Sequence, residues 1–251
     1  MMVESEKKVI TLFGCKINNL TMDETVEEIG KFIESGKPHQ HIVVNVNKVI
    51  IADKDPDMRD IINSCDLVNV DGMPIVWASK IFGKPLRERV TGIDLFTNLL
   101  KKSAEKSWKI FLLGAKDEIL EILVKKLKQD YPKIIICGCR NGYWKNEEEE
   151  NKVAELVYSA KPDILFVAIS SPKKEYFIRK NLTRMNVPFV MGVGGSFDVM
   201  AGKITRAPLW MQNSGLEWFH RFLSEPARMF KRYFIDGCYF FKLIVTEFFK
   251  S

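Results

Sequence analysis

Six short, apolar and largely β-branched runs punctuate the chain at His41–Val46, Leu67–Val70, Lys109–Leu113, Ile134–Cys137, Asp163–Ile169 and Val187–Val193. Between them lie stretches with helical spacing: Lys48–Asp53, Met58–Ser64, Ile93–Ala104, Asp117–Gln129, Asn146–Ala160 and Glu175–Met185. A strand that must return parallel to its neighbour needs a crossover, and a helix of about 10–15 residues supplies one. The alternation therefore predicts an α/β fold, a mostly parallel sheet with helices on both faces. Ahead of the series, Val9–Phe13 and Cys15–Ile17 read as two short strands around Gly14. Thr21-Met-Asp-Glu24 forms a capping box opening a helix through Ile29 and Ile33, which stops at Ser35-Gly36-Lys37-Pro38.

In such sheets ligands bind outside the carboxyl ends of the strands. Asn45, Asn47, Asp71 and Asp198 fall at those ends. Asp71-Gly72 leaves the run Leu67–Val70 by a tight turn, and Pro74 suits the first turn of the helix that follows. Two readings of Asp71 stay open: a carboxylate presented to a ligand, or the cap of the next helix. Gly192-Val-Gly194-Gly195-Ser196 leaves the last strand, where glycines let backbone N–H groups approach a phosphate. It is neither G-x-G-x-x-G nor a Walker sequence. Asp53-Lys-Asp55-Pro-Asp57 offers two D-x-D triplets but sits between helical stretches, so a solvated helix end explains it better than a metal site. His39, His41 and His220 share no metal-ligand spacing with Cys or Glu, which argues against zinc. Five scattered cysteines without a C-x-x-C pair predict a reducing, cytosolic setting, and charged Met1–Lys8 does not read as a signal peptide.

From about Gly202 the character changes. Trp210, Trp218, Phe219, Phe222, Phe230, Tyr233 and Phe234 alternate with basic residues, and the chain closes on Tyr239–Phe249. Seven Lys or Arg face three acids between Lys203 and Lys242, against a net charge of +6 for the whole chain. The final apolar run is too short, and too interrupted by Lys242 and Glu247, to span a bilayer. The segment reads either as an interfacial anchor or as a helix packed on its own core with charges outward.

Several short motifs then occur in order: Asn45-Val-Asn47, Asp71-Gly72, Arg89-Val-Thr-Gly-Ile-Asp94, Ser171-Pro172-x-x-Glu175, Gly192–Asp198, Ala201-Gly202, Arg206-Ala207-Pro208, Gly215-Leu-Glu217-Trp218 and Glu225-Pro226-x-Arg228. Taken together they resemble the WecG/TagA/CpsF bacterial glycosyltransferase family over most of the chain. The resemblance implies a Rossmann-like core, residues 1–201, and a helical, membrane-facing appendage, residues 202–251. It implies an inverting, metal-independent enzyme without a cofactor. Such an enzyme moves a sugar, first of all N-acetylmannosamine, from a UDP-sugar to a polyprenyl-diphosphate-linked acceptor in teichoic acid or other cell-surface polysaccharide synthesis. The implied location is cytoplasmic, peripheral on the inner face of the membrane. The implied partners are the UDP-sugar, the lipid-linked glycan and the membrane surface, with no nucleic acid and with homo-oligomerisation left open.

By position, the resemblance puts the catalytic base on Asp71, with Arg89 and Asn47 in supporting catalytic roles. Substrate binding falls to Asn45, Lys174, Glu175, Gly194, Gly195, Phe197, Asp198, Arg206, Arg221, Arg228 and Arg232. Two positions depart from the family pattern: Asn45 replaces a usual threonine, and Lys174 a usual glutamine. Those departures leave a second reading, a non-catalytic sugar-nucleotide-binding subunit that assists a partner transferase. A dinucleotide oxidoreductase is a third, resting on the α/β pattern alone. Deleting the chain from about residue 203 is expected to leave a folded core with little activity.

Overall fold

The computed structural model describes residues 8–224, 226, 230 and 234–249, without the side chains of residues 209, 213, 221 and 224. Two N-terminal strands, β1 (Val9–Leu12) and β2 (Cys15–Asn18), pair antiparallel as a hairpin. Helix α1 (Met22–Ser35) follows with the predicted capping box, and Gly36 ends it at φ +65°. The central sheet then alternates as expected: β3 (His39–Val44), α2 (Val46–Lys54), α3 (Pro56–Ser64), β4 (Leu67–Val70), α4 (Met73–Ile81), α5 (Gly92–Lys106) and β5 (Lys109–Gly114). It continues through α6 (Asp117–Asp130), β6 (Ile135–Arg140), α7 (Glu147–Ala160), β7 (Ile164–Ala168), α8 (Lys173–Met185), β8 (Phe189–Gly192) and α9 (Ser196–Met200).

The six strands lie in the order β4-β3-β8-β7-β5-β6, all parallel. Period-two alternation divides their side chains between the two faces. Ile110, Leu112, Ile164, Phe166, Phe189 and Met191 pack under α1, α5 and α6. Phe111, Leu113, Leu165, Val167 and Val190 pack under α7 and α8. The hairpin, α2, α3 and α4 cover Ile42, Val44, Val68 and Val70 on that second side. The chain leaves β5 toward β6 on one side and leaves β7 toward β8 on the other. That divergence opens a crevice at the carboxyl edge between β5 and β7. Backbones come close there: a Cβ on Gly114, at φ +131°, would sit 2.4 Å from the Ala168 carbonyl oxygen.

Three of the boundaries that differ from the sequence expectation bear on the site or the sheet edge. β3 stops at Val44, because Asn45 turns extended and its side-chain oxygen accepts the Lys48 N–H at 3.1 Å. Val46 and Asn47 are thereby drawn into the first turn of α2. Helix α8 begins at Lys173 rather than Glu175, so Lys174 lies in a buried first turn instead of a loop. β6 runs on to Arg140 as an edge strand held only by β5, with a register shift at Ile110/Phe111.

Beyond α9 come α10 (Leu209–Asn213), α11 (Glu217–Ser224) and α12 (Asp236–Phe248). The core-packing reading of the tail holds for one face of α12. Its inner face is anchored: Phe240 is buried 5.1 Å from the Phe13 ring, and the Tyr239 hydroxyl donates to Asp53 Oδ2 at 2.7 Å. Its outer face presents Phe241, Val245 and Phe248 to solvent. Among the described residues no helix is long and apolar enough to cross a membrane.

One buried group beneath the site carries a pH dependence. His41 Nε2 lies 2.9 Å from Asn69 Oδ1, an acceptor, so Nε2 holds the proton and buried Nδ1 finds no donor among the described residues. Burial pushes this imidazole down to about 4, against the Asn69 hydrogen bond that raises it. The unfolded chain takes up the proton near the ordinary value of about 6.5. Stability is therefore full above that pH and falls by about 3 kcal/mol as pH drops toward 4. Urea midpoints measured from pH 7 to 4 are expected to show this fall, and His41→Gln to flatten it.

Candidate active site

A cleft of about 1020 Å³ runs along the carboxyl edge, and residues just past all six parallel strands line it. Asn45 follows β3, Asp71 follows β4, and Ala115 and Lys116 follow β5. Gly142 and Tyr143 follow β6, Ser170 and Ser171 follow β7, and Gly194 and Gly195 follow β8. The volume lies at the upper end of ordinary small-molecule sites, roughly 300–1000 Å³. Lys203, Arg206, Glu217 and His220 form a further wall, so the segment beyond residue 202 contributes directly to the cleft.

Asp71 stays in the ladder through its N–H, which donates to the Val44 carbonyl at 2.9 Å. The N-cap of α4 is Gly72, at φ +125° and without a side-chain capping bond. The N-cap position itself therefore belongs to Gly72, and Asp71, the residue before it, borders the cleft. Glycine is required at 72, since that φ strains any L side chain.

Asn45, Asn47, Lys174, Gly194, Gly195, Asp198 and Arg206 also line the cleft, as the sequence reading grouped them. Arg89 is placed otherwise, outside the lining, with Nη1 3.1 Å from Glu217 Oε2. Glu217 Oε1 meets Arg206 Nε at 3.5 Å, and Arg206 grips Asp94 through two bonds of 2.6 and 2.9 Å. Asp94 in turn accepts from the Thr91 hydroxyl, which caps α5. The Arg89–Glu217–Arg206–Asp94 chain thus ties the start of α11 to the start of α5. Burial raises the Asp94 pKa, but the Arg206 and Thr91 hydrogen bonds outweigh it and hold the carboxyl below its usual range. Phe197, expected at the ligand, is instead fully buried in the core, 5.8 Å from the Phe96 ring. Arg228 and Arg232 lie outside the described residues, as does the Arg221 side chain.

Glu175 is buried below the cleft rather than lining it. Its Oε1 lies 2.6 Å from Lys174 Nζ and 3.1 Å from Lys48 Nζ. Sequence reasoning missed Lys48, although a lysine amid Val49, Ile50 and Ala52, all buried, was a detectable signal. Two of the three acids at 53–57 have structural duties: Asp55 caps α3 and accepts the Tyr176 hydroxyl at 2.6 Å, while Asp53 holds Tyr239. Among the described residues no group of three or more His, Cys, Asp or Glu could hold a metal ion.

Comparison with known proteins gives this geometry a context. The sequence model of the glycosyl transferase WecG/TagA/CpsF family matches residues 10–251. An N-acetylglucosaminyldiphosphoundecaprenol N-acetyl-beta-D-mannosaminyltransferase of Bacillus spizizenii is 38% identical over 175 residues, covering 70% of this chain and 67% of the relative. The protein of the same name from Bacillus subtilis is 36% identical over 185 residues, 74% of this chain and 71% of the relative.

Proposed function

The chain belongs to the WecG/TagA/CpsF family of glycosyl transferases, and on that premise we propose that it moves N-acetylmannosamine from a UDP-sugar to a polyprenyl-diphosphate-linked N-acetylglucosamine. The observation that carries this reading is the Asp71 carboxylate, bordering a cleft at the carboxyl edge of a parallel sheet. The acceptor follows from the names of the two Bacillus relatives. In the mechanism, Asp71 takes the proton of the acceptor hydroxyl as that oxygen attacks the anomeric carbon. The bond from that carbon to the diphosphate oxygen breaks on the opposite face, so configuration inverts and UDP departs. Its developing negative charge is met by cations of the chain itself, Lys116, Lys203 and Arg206 among those lining the cleft. This supports charge neutralisation by side chains, without a divalent cation. Holding both substrates in line supplies much of the remaining acceleration.

The reading places the enzyme on the inner face of the membrane, with the exposed side of the appendage, residues 202–251, toward lipid. Phe241, Phe248 and Phe249, 67%, 59% and 83% exposed, support that orientation. Replacing all three by Ser is expected to weaken sedimentation with anionic vesicles at least about 10-fold, since each buried ring is worth over 1 kcal/mol. An unchanged bound fraction would overturn the membrane-facing role. The function itself is tested by UDP release from purified protein given UDP-N-acetylmannosamine and a short-chain prenyl-diphosphate N-acetylglucosamine. Release with no partner added is expected. Binding of donor without release would instead mark an assisting subunit.

A further inference from the structure

The floor of the cleft holds a charge arrangement beyond the three cations that the mechanism above names. Lys174, in the first turn of α8, and Lys48, in the first turn of α2, both converge on Glu175 Oε1. Both lysines are only 5% exposed, and both line the cleft. Among the described residues, two ammonium groups against one carboxylate leave a net buried positive charge. An unbalanced buried charge is costly unless something pairs with it. Lys48 also donates to the Val43 carbonyl at 2.7 Å, whereas Lys174, with three donors, meets Glu175 Oε1 as an ion pair and among the described residues makes no geometrically formed hydrogen bond to it. Ser171 adds a buried hydroxyl that borders the same cleft and finds no partner among the described residues.

The backbone is shaped around this lysine. A Cβ on Gly192, at the end of β8, would fall 2.5 Å from Lys174 Cε and 2.9 Å from Cδ. The side chain therefore passes where only glycine leaves room. Burial, followed by the neighbouring Lys48 ammonium, pushes Lys174 down to about 8, against the pull of Glu175. Burial would raise Glu175, yet the two ammonium groups prevail and keep it ionised well into the acid range.

We infer that Lys174, Lys48 and Ser171 form a built diphosphate subsite at the cleft floor, with Glu175 as the fixed counter-ion that holds both lysines in place. The inference rests on the transfer reading above for its choice of ligand. Two diphosphates meet in that reaction, one on the nucleotide and one on the lipid, and they share the chemistry this floor recognises. A subsite built wholly from residues before position 202 would let the core grip a diphosphate independently of the arginines of the tail.

The test is calorimetric titration of the full chain, without added metal, with UDP, uridine and farnesyl diphosphate in separate arms. In Lys174→Met the Lys48–Glu175 pair remains, and binding of one diphosphate ligand is expected to weaken about 10- to 100-fold, the worth of a charge-assisted hydrogen bond. Lys174→Arg, which keeps the charge, is expected to retain most of the affinity. Ser171→Ala should lose a smaller factor. Loss confined to UDP assigns the floor to the nucleotide, and loss confined to farnesyl diphosphate assigns it to the lipid. If Lys174→Met does not fold, Lys174→Gln carries the same comparison. Wild-type binding of UDP with equal affinity in a folded Lys174 variant, in both diphosphate arms, overturns the subsite and leaves the transfer reading standing. A wild type that binds neither diphosphate overturns both.

Discussion

Asp71→Asn is expected to reduce sugar transfer by about 10²- to 10⁴-fold while the protein stays folded and still binds donor. The amide matches the carboxylate in shape but cannot accept the acceptor's proton. The ladder bond from the Asp71 N–H to Val44 involves only the backbone, so β4 keeps its place. Because Gly72 rather than Asp71 is the N-cap of α4, the substitution leaves the N-cap residue itself in place. This separation is what makes the experiment clean, since a lost cap would cost about 1 kcal/mol and confuse stability with catalysis. UDP release and donor titration on the same preparation check the result. Transfer within a few-fold of wild type would exclude Asp71 as the base.

Glu217→Gln is expected to have the second largest effect, about 10- to 100-fold in kcat/KM, although Glu217 is not offered as a reacting group. Its carboxylate separates two arginines, with Oε2 on Arg89 and Oε1 on Arg206. Neutralising it leaves two guanidinium groups facing each other where all three side chains are at most 25% exposed. The start of α11, a wall of the cleft, is then no longer held to α5, and misplacement of about 1 Å can cost about 10² in rate. Melting temperature should fall as well. Partial recovery in Glu217→Asp and a larger change in kcat than in donor affinity would separate positioning from simple loss of stability. Unchanged kcat/KM in Glu217→Gln would remove the clasp from the account.

Glu217→Gln also tests the tail better than truncation does. Deletion from residue 203 removes Phe240 from a core that includes Phe13, Val49 and Ile50, and removes the Tyr239 bond to Asp53. The truncated core would expose apolar surface where the full chain buries it, so its inactivity would not isolate the loss of a cleft wall. The expectation of a folded core rests on the interfacial-anchor reading of the tail, whereas one face of α12 packs on that core.

Much of the fold was legible because local signals carry it. The Thr21–Glu24 capping box, Gly36 and the alternation of β-branched runs with helical periods act over a few residues, and all reappear in place. The misread boundaries have local causes too. Asn45 could extend the strand or cap the helix, and the bond to the Lys48 N–H decided for the cap. Lys174 follows Pro172, and the sequence reading took it as loop, whereas the structure puts it in a buried helical turn. Of the site, the groups at strand ends were readable from position alone. The aromatic Phe197 was not, because a ring at a strand exit fits a base-stacking position and a core position equally well, and burial against Phe96 decided it.

The order of strands and helices along the chain, the Thr21 capping box, the place of Asp71 at a strand exit and the family motifs were all determined by the sequence alone. Periodicity and hydrogen bonding between near neighbours write these into short windows of the chain. Only the tertiary structure joined Arg89 to Glu217 across 128 positions, Arg206 to Asp94 across 112, and Lys48 to Glu175 beneath the cleft. Such pairs follow no local period. Their strength depends on burial and on the distance between charges, and both arise only when the sheet order brings remote strand ends together.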